Sequence, residues 1–502
     1  MIQIKFYETT SIIYTNAAPH IGFALELIQA DVLARLHRLK GDDVFFLTGS
    51  DEHGSKIQKA AADAGQDPDH FVDGIVEKVQ EMITLLDVSN DDFIRTTDTE
   101  RHIPTAQEIW TLIENNDDFY RKKYQGLYCV GCESFKTEKE LVDGNCPIHH
   151  KKPELVEEEN FFFKLSKYQS KLIELIESDE MKIYPKERKK EILNFIKSGL
   201  EDISFSRSKK ALSWGVPVPG NNDQTMYVWC DALTNYLSGI GYTLDKQKFE
   251  KYWPADVHII GKDILRFHAV FWPAMLMSAG LPLPKEIFVH GFVTKDGKKM
   301  SKSIGNVVDP FEQLKKYGAD PFRYFLLREL PATNDGDYSE EMLINKINSN
   351  LAGDLGNLVY RVLTLTEKNF DGKVPPVAKG KLAEIAHGIE ERVSKSLEVY
   401  DFQGALDEVW KLIRASNQYI NETEPWKIQD KKELEKIIYE LLEALRIIGI
   451  VINPFLPGSS VKILEQLGLE GEFDFSNIKW GGLEEGTQVK KGEVLFQKVD
   501  KE

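Results

Sequence analysis

The stretch TTSIIYTNAAPHIGFALELIQAD, residues 9–31, has the pattern of a strand, a turn and a helix. Residues 12–14 form a short apolar run that predicts a strand, and the apolar residues from 23 to 30 recur at helical spacing. A helix beginning at the intervening turn, Pro19-His20-Ile21-Gly22, directs its unpaired N–H groups and positive dipole end toward that turn. The turn is therefore suited to phosphate, and Gly22 lets a flat ring approach the backbone.

A second stretch, KDGKKMSKS (Lys295–Ser303), predicts a flexible loop rich in glycine and lysine. The ammonium groups of Lys299 and Lys302 could neutralise the charge of a leaving pyrophosphate. Taken alone, a lysine run is usually a solvated face. Together, however, the turn at His20 and this loop resemble the HIGH and KMSKS signatures of class I aminoacyl-tRNA synthetases.

Further motifs narrow the resemblance to the methionyl-tRNA synthetases, and the matches extend over nearly the whole chain. They are SIIY (11–14), TGSDEHG (48–54), YVWCDA (227–232) and IGKD (260–263) with Phe267-His268. The resemblance implies activation of L-methionine with ATP, giving methionyl-adenylate and pyrophosphate, and then transfer of methionine to the 3' end of tRNA(Met).

The expected fold is α/β, with a Rossmann-type doubly wound parallel sheet followed by an α-helix bundle. We expect the first half of the catalytic domain at 1–115, a connective peptide at 116–225, and the second half with the lysine loop at 226–325. The strand opening this second half is placed at 226–229. An α-helical anticodon-binding domain with a C-terminal tail is expected at 326–502.

Size and composition are those of a globular protein of about three domains. The chain has 502 residues, 42% of them hydrophobic, and a net charge of −17, which argues against a protein that coats nucleic acid non-specifically. It lacks an apolar run of the ~18 residues that span a membrane and a recognisable export signal. We therefore expect a cytoplasmic protein.

The parallel sheet places its ligands at the carboxyl ends of its strands. The resemblance implies an ATP site there, with His20, Lys299 and Lys302 as catalytic groups and Mg²⁺ accompanying the nucleotide. In this interpretation Asp263 binds ribose hydroxyls and Gly261 allows close approach of adenosine. The implied ATP-binding residues are His20, Gly22, Gly261, Asp263, His290, Val293, Lys299, Ser301 and Lys302.

An apolar pocket for the methionine side chain is expected beside the ATP site. Trp229, Ala232, Leu233 and Tyr236 have the spacing of one helix face, and such an apolar, polarisable cage suits a thioether. The resemblance implies that Asp51 meets the amino group, although an Asp at this position could instead cap the next helix. The implied methionine-binding residues are Ile12, Tyr14, Asp51, Trp229, Ala232, Leu233, Tyr236, Phe267 and His268.

Three of the four cysteines lie in a pattern typical of a structural zinc knuckle. Cys129, Cys132, Cys146 and His149 have the spacing C-x2-C-x13-C-x2-H, with His150 as an alternative fourth ligand. Three thiolates and an imidazole close the tetrahedron, so we expect one structural Zn²⁺. The connective region of about 110 residues (116–225) is too short for the large editing domain of leucyl, isoleucyl and valyl enzymes.

The helical third of the chain has no pattern that assigns it to RNA. By resemblance, Asn350, Arg361 and Trp426 match residues that read the CAU anticodon, and an aromatic ring with amide and guanidinium groups suits an unstacked base. The expected partners are ATP, L-methionine, and initiator and elongator tRNA(Met), without membrane or DNA. After Trp480 no OB-fold domain is seen, so a monomer is expected.

The first signature departs from the family pattern at Phe23, where a second histidine is usual. Phe23 cannot donate a hydrogen bond to phosphate, so either the other groups compensate or activation is slower. Two alternatives therefore stay open. One is a carboxylate-activating nucleotidyltransferase of the same superfamily, and the other is a catalytically inactive tRNA-binding factor.

Overall fold

The computed structural model describes residues 4–131, 134–136, 138–148, 150–300 and 307–500, with the backbone alone for residues 124–125, 134–135, 139, 156–157 and 299. In these ranges the strands are β1 (Lys5–Thr10), β2 (Ile13–Tyr14), β3 (Asp43–Asp51), β4 (Asp92–Arg95), β5 (Phe119–Cys129), β6 (Ser134–Lys136), β7 (Glu154–Phe163), β8 (Lys182–Tyr184), β9 (Ile203–Ser204), β10 (Ser206–Ser208), β11 (Pro217–Val218), β12 (Asn221–Met226), β13 (Val257–Gly261), β14 (Glu286–His290), β15 (Val293–Lys295), β16 (Lys298–Lys299) and β17 (Gly336–Asp337).

The helices lie between and after these strands, and the last third of the chain is almost wholly helical. They are α1 (Ile21–Leu39), α2 (Ser55–Asp63), α3 (Pro68–Leu85), α4 (His102–Asn115), α5 (Gln169–Glu177), α6 (Lys186–Lys197), α7 (Val228–Ala232), α8 (Asn235–Ser238), α9 (Lys246–Tyr252), α10 (Trp272–Ser278), α11 (Pro310–Tyr317), α12 (Ala319–Glu329), α13 (Glu340–Lys346), α14 (Asn357–Phe370), α15 (Lys381–Ala386), α16 (Ile389–Leu397), α17 (Phe402–Thr423), α18 (Lys431–Val451) and α19 (Pro457–Gln466). Two π-helical segments, Phe267–Phe271 and Ile347–Gly356, continue into α10 and α14. None of the described helices is long and apolar enough to cross a bilayer.

A seven-stranded parallel sheet forms the centre of the α/β domain. Its order is β2-β3-β1-β13-β14-β8, with β4 paired along β3. At the centre β1 pairs with β13, in the register Glu8 to Val257. Two segments about 250 residues apart in sequence are therefore neighbours in space, and the predicted doubly wound parallel sheet is confirmed.

The two faces of this sheet carry separate apolar cores because successive side chains of a strand alternate. Phe46, Ile259 and Phe288 face a core that includes α1 and continues into the helical bundle. Leu47 and Ile260 face the other core, which includes the segment 226–240 and the aromatic residues of the connective region. The helical domain thus packs on one face of the sheet.

The contacts between the helical bundle and the α/β domain include a ring stack and a buried ion pair. The ring of Tyr400 stacks on Phe288 with centroids 4.0 Å apart. Arg323 of α12 is fully buried and donates to Asp31 of α1 (2.7 Å) and to the carbonyl oxygens of Leu86, Pro454 and Phe455. The guanidinium of Arg323 therefore ties α1 to the segment that follows α18.

The connective region forms sheets of its own. Strands β6-β5-β7-β9 make a four-stranded antiparallel sheet and β10-β12-β11 a three-stranded one. The prediction that residues 226–229 begin the second half of the parallel sheet is wrong, because Met226 ends β12 and β13 is the next parallel strand. The strand predicted at residues 12–14 is only the two-residue strand Ile13–Tyr14, which pairs with β3. The strand before α1 that lies at the centre of the sheet is β1.

Candidate active site

The parallel sheet brings the predicted nucleotide and amino-acid residues to one edge. The carboxyl ends of β1, β3, β13 and β14 lead to Ile12 and Tyr14, Asp51, Gly261 and His290. These positions come from both halves of the chain. They converge because the carboxyl ends of neighbouring parallel strands lie at the same edge of the sheet.

His20 caps the N-terminus of α1. Its Nδ1 accepts a hydrogen bond from the backbone N–H of Phe23 at 3.2 Å, and its ring lies against Gly22, where an added Cβ would approach it to 3.1 Å. Because Nδ1 acts as an acceptor, the ring proton of the neutral imidazole is on Nε2. His20 is exposed, so this N–H donor and the helix N-terminus together suit a phosphate.

Phe23, the departure from the family pattern, lies in the core and is only 4% exposed. Its backbone contributes to the cap through the bond to His20, while its ring packs in the core that α1 shares with the sheet. The groups at this turn that could donate to a phosphate are therefore His20 and backbone N–H groups, whereas the side chain of Phe23 is part of the apolar core.

Glu26 links the two halves of the site. It accepts hydrogen bonds from the backbone N–H of Ser11 (2.8 Å) and from Nε2–H of His290 (2.8 Å). The second nitrogen of His290 donates to the carbonyl oxygen of Gly291 at 2.8 Å, so both ring nitrogens act as donors. Burial would lower the pKa of His290, but the carboxylate of Glu26 and this carbonyl outweigh burial and raise it. His290 is thus held as a buried cation.

Gly261, Asp263 and His290 converge on one point beside the sheet edge. An added Cβ at Gly261 would lie 3.1 Å from Oδ1 of Asp263 and 3.6 Å from Nε2 of His290. A glycine therefore keeps space at this point, where the resemblance places adenosine. Val293 begins β15 nearby in sequence and is buried.

The lysine loop begins as a hairpin. Strands β15 and β16 pair antiparallel, Thr294 with Lys299, around a turn at Asp296-Gly297 in which both residues have positive φ. Asp337 of β17 fixes the turn by accepting from the N–H of Gly297 at 2.9 Å. The backbone of Lys299 lies in β16, whereas Ser301 and Lys302 lie outside the described residues.

The predicted methionine pocket is lined by stacked rings and satisfied polar atoms. Trp229 stacks on Phe267 with centroids 3.7 Å apart and planes 4° apart. Nδ1 of His268 donates to the carbonyl oxygen of Ile264 (3.1 Å), so Nε2 accepts from the hydroxyl of Tyr236 (2.7 Å). Burial lowers the pKa of His268 to about 4, and this side chain is neutral near pH 7. The pocket wall therefore carries no charge at His268 or Tyr236.

The pocket wall is not the single helix that the spacing predicted. Helices α7 and α8 are separate short helices, with Leu233 and Thr234 between them. Ala232, Leu233 and Tyr236 are all at least 97% buried. Phe267 and His268 come from a π-helical segment, a form that often marks functional sites.

Asp51 ends β3 and is buried, with 6% exposed. The alternative interpretation as a helix cap is wrong, because α2 begins at Ser55 with Gly54 at its cap position. Ile12 lies close by, since an added Cβ at Gly49 would come within 3.0 Å of its side chain. Tyr14 pairs with Asp51 in the register of β2 and β3.

Two turns in the connective region carry the predicted zinc ligands. Cys129 ends β5 and pairs with Ser134 of the antiparallel strand β6. The carbonyl oxygen of Cys146 accepts from the N–H of His150 (2.8 Å), and the N–H of Cys146 donates to the carbonyl oxygen of Lys151 (3.0 Å). Both described thiols are buried, whereas Cys132 and His149 lie outside the described residues. The described side chains include no metal-binding group of three or more ligands, and the two turns fit a chelating pair.

Arg361 and Trp426 lie together on the bundle. The guanidinium carbon of Arg361 is 5.9 Å from the ring centroid of Trp426, which is 51% exposed, and Nη2 of Arg361 donates to Asn421 at 2.9 Å. Asn350 is in the π-helical segment, eleven residues before Arg361, so it lies on the order of 15 Å further along the helix axis.

Asn357 is a candidate anticodon-binding residue that the sequence analysis missed. It is exposed, begins α14 and lies four residues before Arg361, hence on the same helix face one turn away. The only indication in the sequence was that Asn357 precedes Arg361 by four residues. This spacing indicated a shared helix face only once the bounds of α14 and the exposure of Asn357 were known.

Comparisons with known proteins find matches along nearly the whole chain. The family model described as tRNA synthetases class I (M) matches residues 6–152 and 136–363, and the one described as anticodon binding domain of methionyl tRNA ligase matches 372–502. A methionine–tRNA ligase of Caldanaerobacter subterraneus is 48% identical over 99% of this chain and 79% of its own length. One from Brucella suis is 44% identical over 99% of this chain and 98% of its own.

A solved structure of Mycobacterium tuberculosis methionyl-tRNA synthetase in complex with methionyl-adenylate is also similar. Its TM-score is 0.94 at 41% identity, covering 98% of this chain and 100% of that chain.

Replacing Glu26 by Gln should destabilise the protein in a pH-dependent way. A histidine with a raised pKa adds stability that is fully present below its ordinary pKa of ~6.5 and is lost as pH rises through the raised value. We expect the melting temperature of Glu26→Gln to fall by at least ~2 °C relative to wild type at pH 6, with a smaller gap at pH 9. Thermal unfolding of both proteins at pH 6, 7.5 and 9 measures this difference in melting temperature.

Glu443→Gln is the matched control, because Glu443 is also buried but pairs with Arg446, which does not titrate in this range. Its gap to wild type should stay constant with pH. A constant gap for Glu26→Gln as well would contradict the charged state assigned to His290.

Proposed function

The chain belongs to the methionyl-tRNA synthetases of class I, and from this membership we propose how its residues divide the work of the reaction. The chain activates L-methionine with ATP, forming methionyl-adenylate and pyrophosphate, and transfers the methionyl group to the 3' end of tRNA(Met). The observation that carries this function is a match over 99% of the chain to a named ligase, with both halves of the site at one sheet edge. A nucleotidyltransferase that acts without tRNA does not fit the methionyl anticodon-binding domain at 372–502.

In the activation step the methionine carboxylate attacks the α-phosphate of ATP in line, and pyrophosphate leaves. The protein aligns the two substrates and stabilises the charge that develops on the phosphates. His20 would donate from Nε2 together with the N-terminus of α1, while Lys299 and Lys302 would neutralise the pyrophosphate. Mg²⁺ accompanying ATP would neutralise further phosphate charge when bound.

The nucleotide would bind at the edge of β13 and β14. Asp263 would accept hydrogen bonds from the ribose hydroxyls, and Gly261 would leave room for adenosine beside His290. The cation at His290, fixed by Glu26, links the two halves of the sheet at this point. Gly22, Val293 and Ser301 complete the proposed ATP site.

The methionine side chain would lie against the Trp229–Phe267 stack, with the amino group at Asp51. Tyr236 and His268 satisfy each other, so they offer the side chain a neutral surface with little demand for a hydrogen bond. Such a pocket favours a thioether over polar side chains. Between side chains that differ by one methylene, it discriminates by only ~1–3 kcal/mol of binding free energy. Ile12, Tyr14, Ala232 and Leu233 complete the proposed lining.

We further propose one structural Zn²⁺ held by Cys129, Cys132, Cys146 and His149. The fit rests on the two turns and on the burial of the two described thiols. Such an ion would supply structure to the connective region and no Lewis-acid chemistry, because four protein ligands leave no open position. A monomer acting in the reducing cytoplasm is part of the same proposal.

Anticodon recognition is assigned to the exposed face at Trp426 and Arg361. Trp426 offers a half-exposed ring for stacking, and the guanidinium of Arg361, which donates to Asn421, lies 5.9 Å from the centroid of that ring. Asn350 is the amide implied by the resemblance, and Asn357 is the amide that helix position places nearer Arg361. The CAU anticodon would bind here, in initiator and elongator tRNA(Met) alike.

Methionine-dependent ATP–pyrophosphate exchange tests the activation step and the pocket. We expect exchange with methionine, and none above background with leucine, isoleucine or cysteine at equal concentration. Because the ring of Phe23 is in the core, Phe23→His should change kcat/KM for ATP by no more than ~3-fold while lowering the melting temperature. A tenfold gain in exchange would instead mean that position 23 faces the phosphates. No exchange with any amino acid would favour the inactive tRNA-binding factor.

Zinc content tests the knuckle. Purified protein should contain one Zn²⁺ per chain by elemental analysis, and Cys146→Ser should lose it with a lower melting temperature, since metal binding contributes folding free energy. Cys230→Ser is the matched control, because Cys230 is a buried cysteine outside the four proposed ligands and should leave zinc content unchanged. Equal zinc content in wild type and Cys146→Ser would contradict the assignment.

Anticodon-face variants should separate tRNA recognition from activation. Loss of a stacked base costs ~1–3 kcal/mol, so Trp426→Ala should lower kcat/KM for tRNA by about ten- to a hundredfold and leave exchange unchanged. Val461→Ala, also 51% exposed on the helical domain, should leave both activities unchanged.

Comparing Asn350→Ala with Asn357→Ala then decides which amide reads the anticodon. The helix geometry favours the larger loss of charging in Asn357→Ala. A larger loss in Asn350→Ala would return the assignment to the residue that the resemblance implies.

A further inference from the structure

The lysine loop is anchored by a strand from outside it. Strands β15 and β16 and the turn between them form the hairpin that opens this loop, and β17 pairs in parallel with β15, Thr294 with Asp337. The N–H of Tyr338 also donates to the carbonyl oxygen of Thr294 at 2.8 Å. The hairpin therefore has as its neighbour a strand that lies 43 positions further along the chain.

Asp337 bridges the hairpin from this neighbouring strand. Its Oδ1 accepts from the hydroxyl of Thr294 at 2.8 Å and from the backbone N–H of Gly297 at 2.9 Å. One carboxylate oxygen thus bonds both to the strand before the turn and to the turn itself. Lys299 pairs with Thr294 across the hairpin, so the same bridge supports the backbone of Lys299.

Asp335 ties the start of the hairpin to the proposed nucleotide edge of the sheet. Its two carboxylate oxygens accept from Nζ of Lys262 at 2.6 and 2.8 Å, and Oδ1 also accepts from the N–H of Phe292 at 3.0 Å. Lys262 lies between Gly261 and Asp263, which are the proposed adenosine and ribose contacts. Burial would raise the pKa of Asp335, but Lys262 and the N–H of Phe292 outweigh burial and lower it, so this carboxylate is ionised near pH 7.

The segment that carries both carboxylates is itself packed on two sides. At Gly291, the residue after β14, an added Cβ would lie 2.0 Å from the carbonyl oxygen of Asn334, so the two backbones are in contact. On the other side Tyr338 is buried, and its hydroxyl donates to Gln313 of α11 at 2.7 Å. Both carboxylates therefore belong to a segment held against the end of β14 and against α11.

We propose that Asp337 and Asp335 are positioning residues for the activation step. Asp337 orients the hairpin from which Lys299 extends toward the leaving pyrophosphate, and Asp335 sets the position of that hairpin relative to the adenosine edge. The inference rests on the proposed function and on the role of Lys299 in it. A lysine stabilises developing phosphate charge best when its backbone is already in place, because no reorganisation is then needed during the reaction.

Asp337→Ala tests the bridge, and Asp337→Asn tests it with an acceptor retained. Loss of a hydrogen bond to a charged group that is needed in the transition state should lower kcat of methionine-dependent exchange about tenfold in Asp337→Ala. The KM for methionine should stay within about twofold of wild type, since the hairpin does not contact the amino acid. An asparagine oxygen can accept both bonds, so Asp337→Asn should keep at least about one third of the wild-type kcat.

The second step of the reaction separates positioning from a general loss of structure. Pyrophosphate has already left when methionine passes to tRNA, so transfer from preformed, enzyme-bound methionyl-adenylate does not need the hairpin. We expect the single-turnover transfer rate of Asp337→Ala to stay within about twofold of wild type. Asp474→Ala is the matched control, because Oδ1 of Asp474 also accepts from one hydroxyl and one backbone N–H, both of Ser476. It should change neither step.

Asp335→Ala tests the tie to the nucleotide edge. Because its partner Lys262 lies between the proposed adenosine and ribose contacts, we expect the KM for ATP to rise about three- to tenfold. Lys262→Ala should raise the same constant, and the double variant should match Asp335→Ala within about twofold if the two residues act together. Additive effects of the two substitutions would contradict a shared role.

Three results would overturn the inference. Unchanged exchange kinetics in both alanine variants would show that the carboxylates do not position the hairpin, and an effect of only one would remove the other from the assignment. A parallel loss of activation and transfer in Asp337→Ala, or equal losses in Asp337→Ala and Asp337→Asn, would indicate a structural role only. If wild type shows no methionine-dependent exchange, the proposed function itself has failed, whereas an active wild type confines any of these failures to this inference.

Discussion

The parallel pairing of β1 with β13 is the constraint on which the rest of the site depends. The two strands are about 250 residues apart in sequence, and the ladder from Glu8–Val257 to Thr10–Ile259 places them side by side at the centre of the sheet. Contacts of such sequence separation cost loop-closure entropy before they stabilise anything. The ladder is supported by an apolar core on each face of the sheet. Without it, the turn at His20 and the segment at Gly261–His268 would not share an edge.

Across the site, the hydrogen-bond partners of each histidine set its protonation and so its use. His20 accepts at Nδ1 from a backbone N–H, so the proton of its neutral ring is on Nε2. His268 is held neutral between a carbonyl oxygen and Tyr236, which keeps the pocket wall apolar in character. His290 has an acceptor at each nitrogen and is held as a cation. One residue type thus supplies a donor, a neutral wall and a fixed charge within one edge of the sheet.

The motifs of the sequence predicted where several of these residues lie in the fold, because short motifs at strand ends report local geometry. His20 at a helix cap, Gly261 near Asp263 and the neighbouring Trp229 and Phe267 could all be located in advance. The interruption between α7 and α8 could not, since apolar spacing of i, i+3, i+4 and i+7 persists across a broken helix. The bond of Glu26 to His290 joins positions 264 residues apart, and no local pattern encodes it. Residue 357 likewise became a candidate only when exposure and helix bounds were known.

Charging of tRNA with labelled methionine by the purified chain is the most direct test of the account. It requires the joined halves of the sheet, the pocket and the anticodon face to act in one molecule. The account predicts that tRNA with a CAU anticodon accepts methionine in an ATP-dependent reaction, and that the same tRNA with an altered anticodon is charged at least tenfold less efficiently. No charging of the CAU tRNA by folded protein would contradict it.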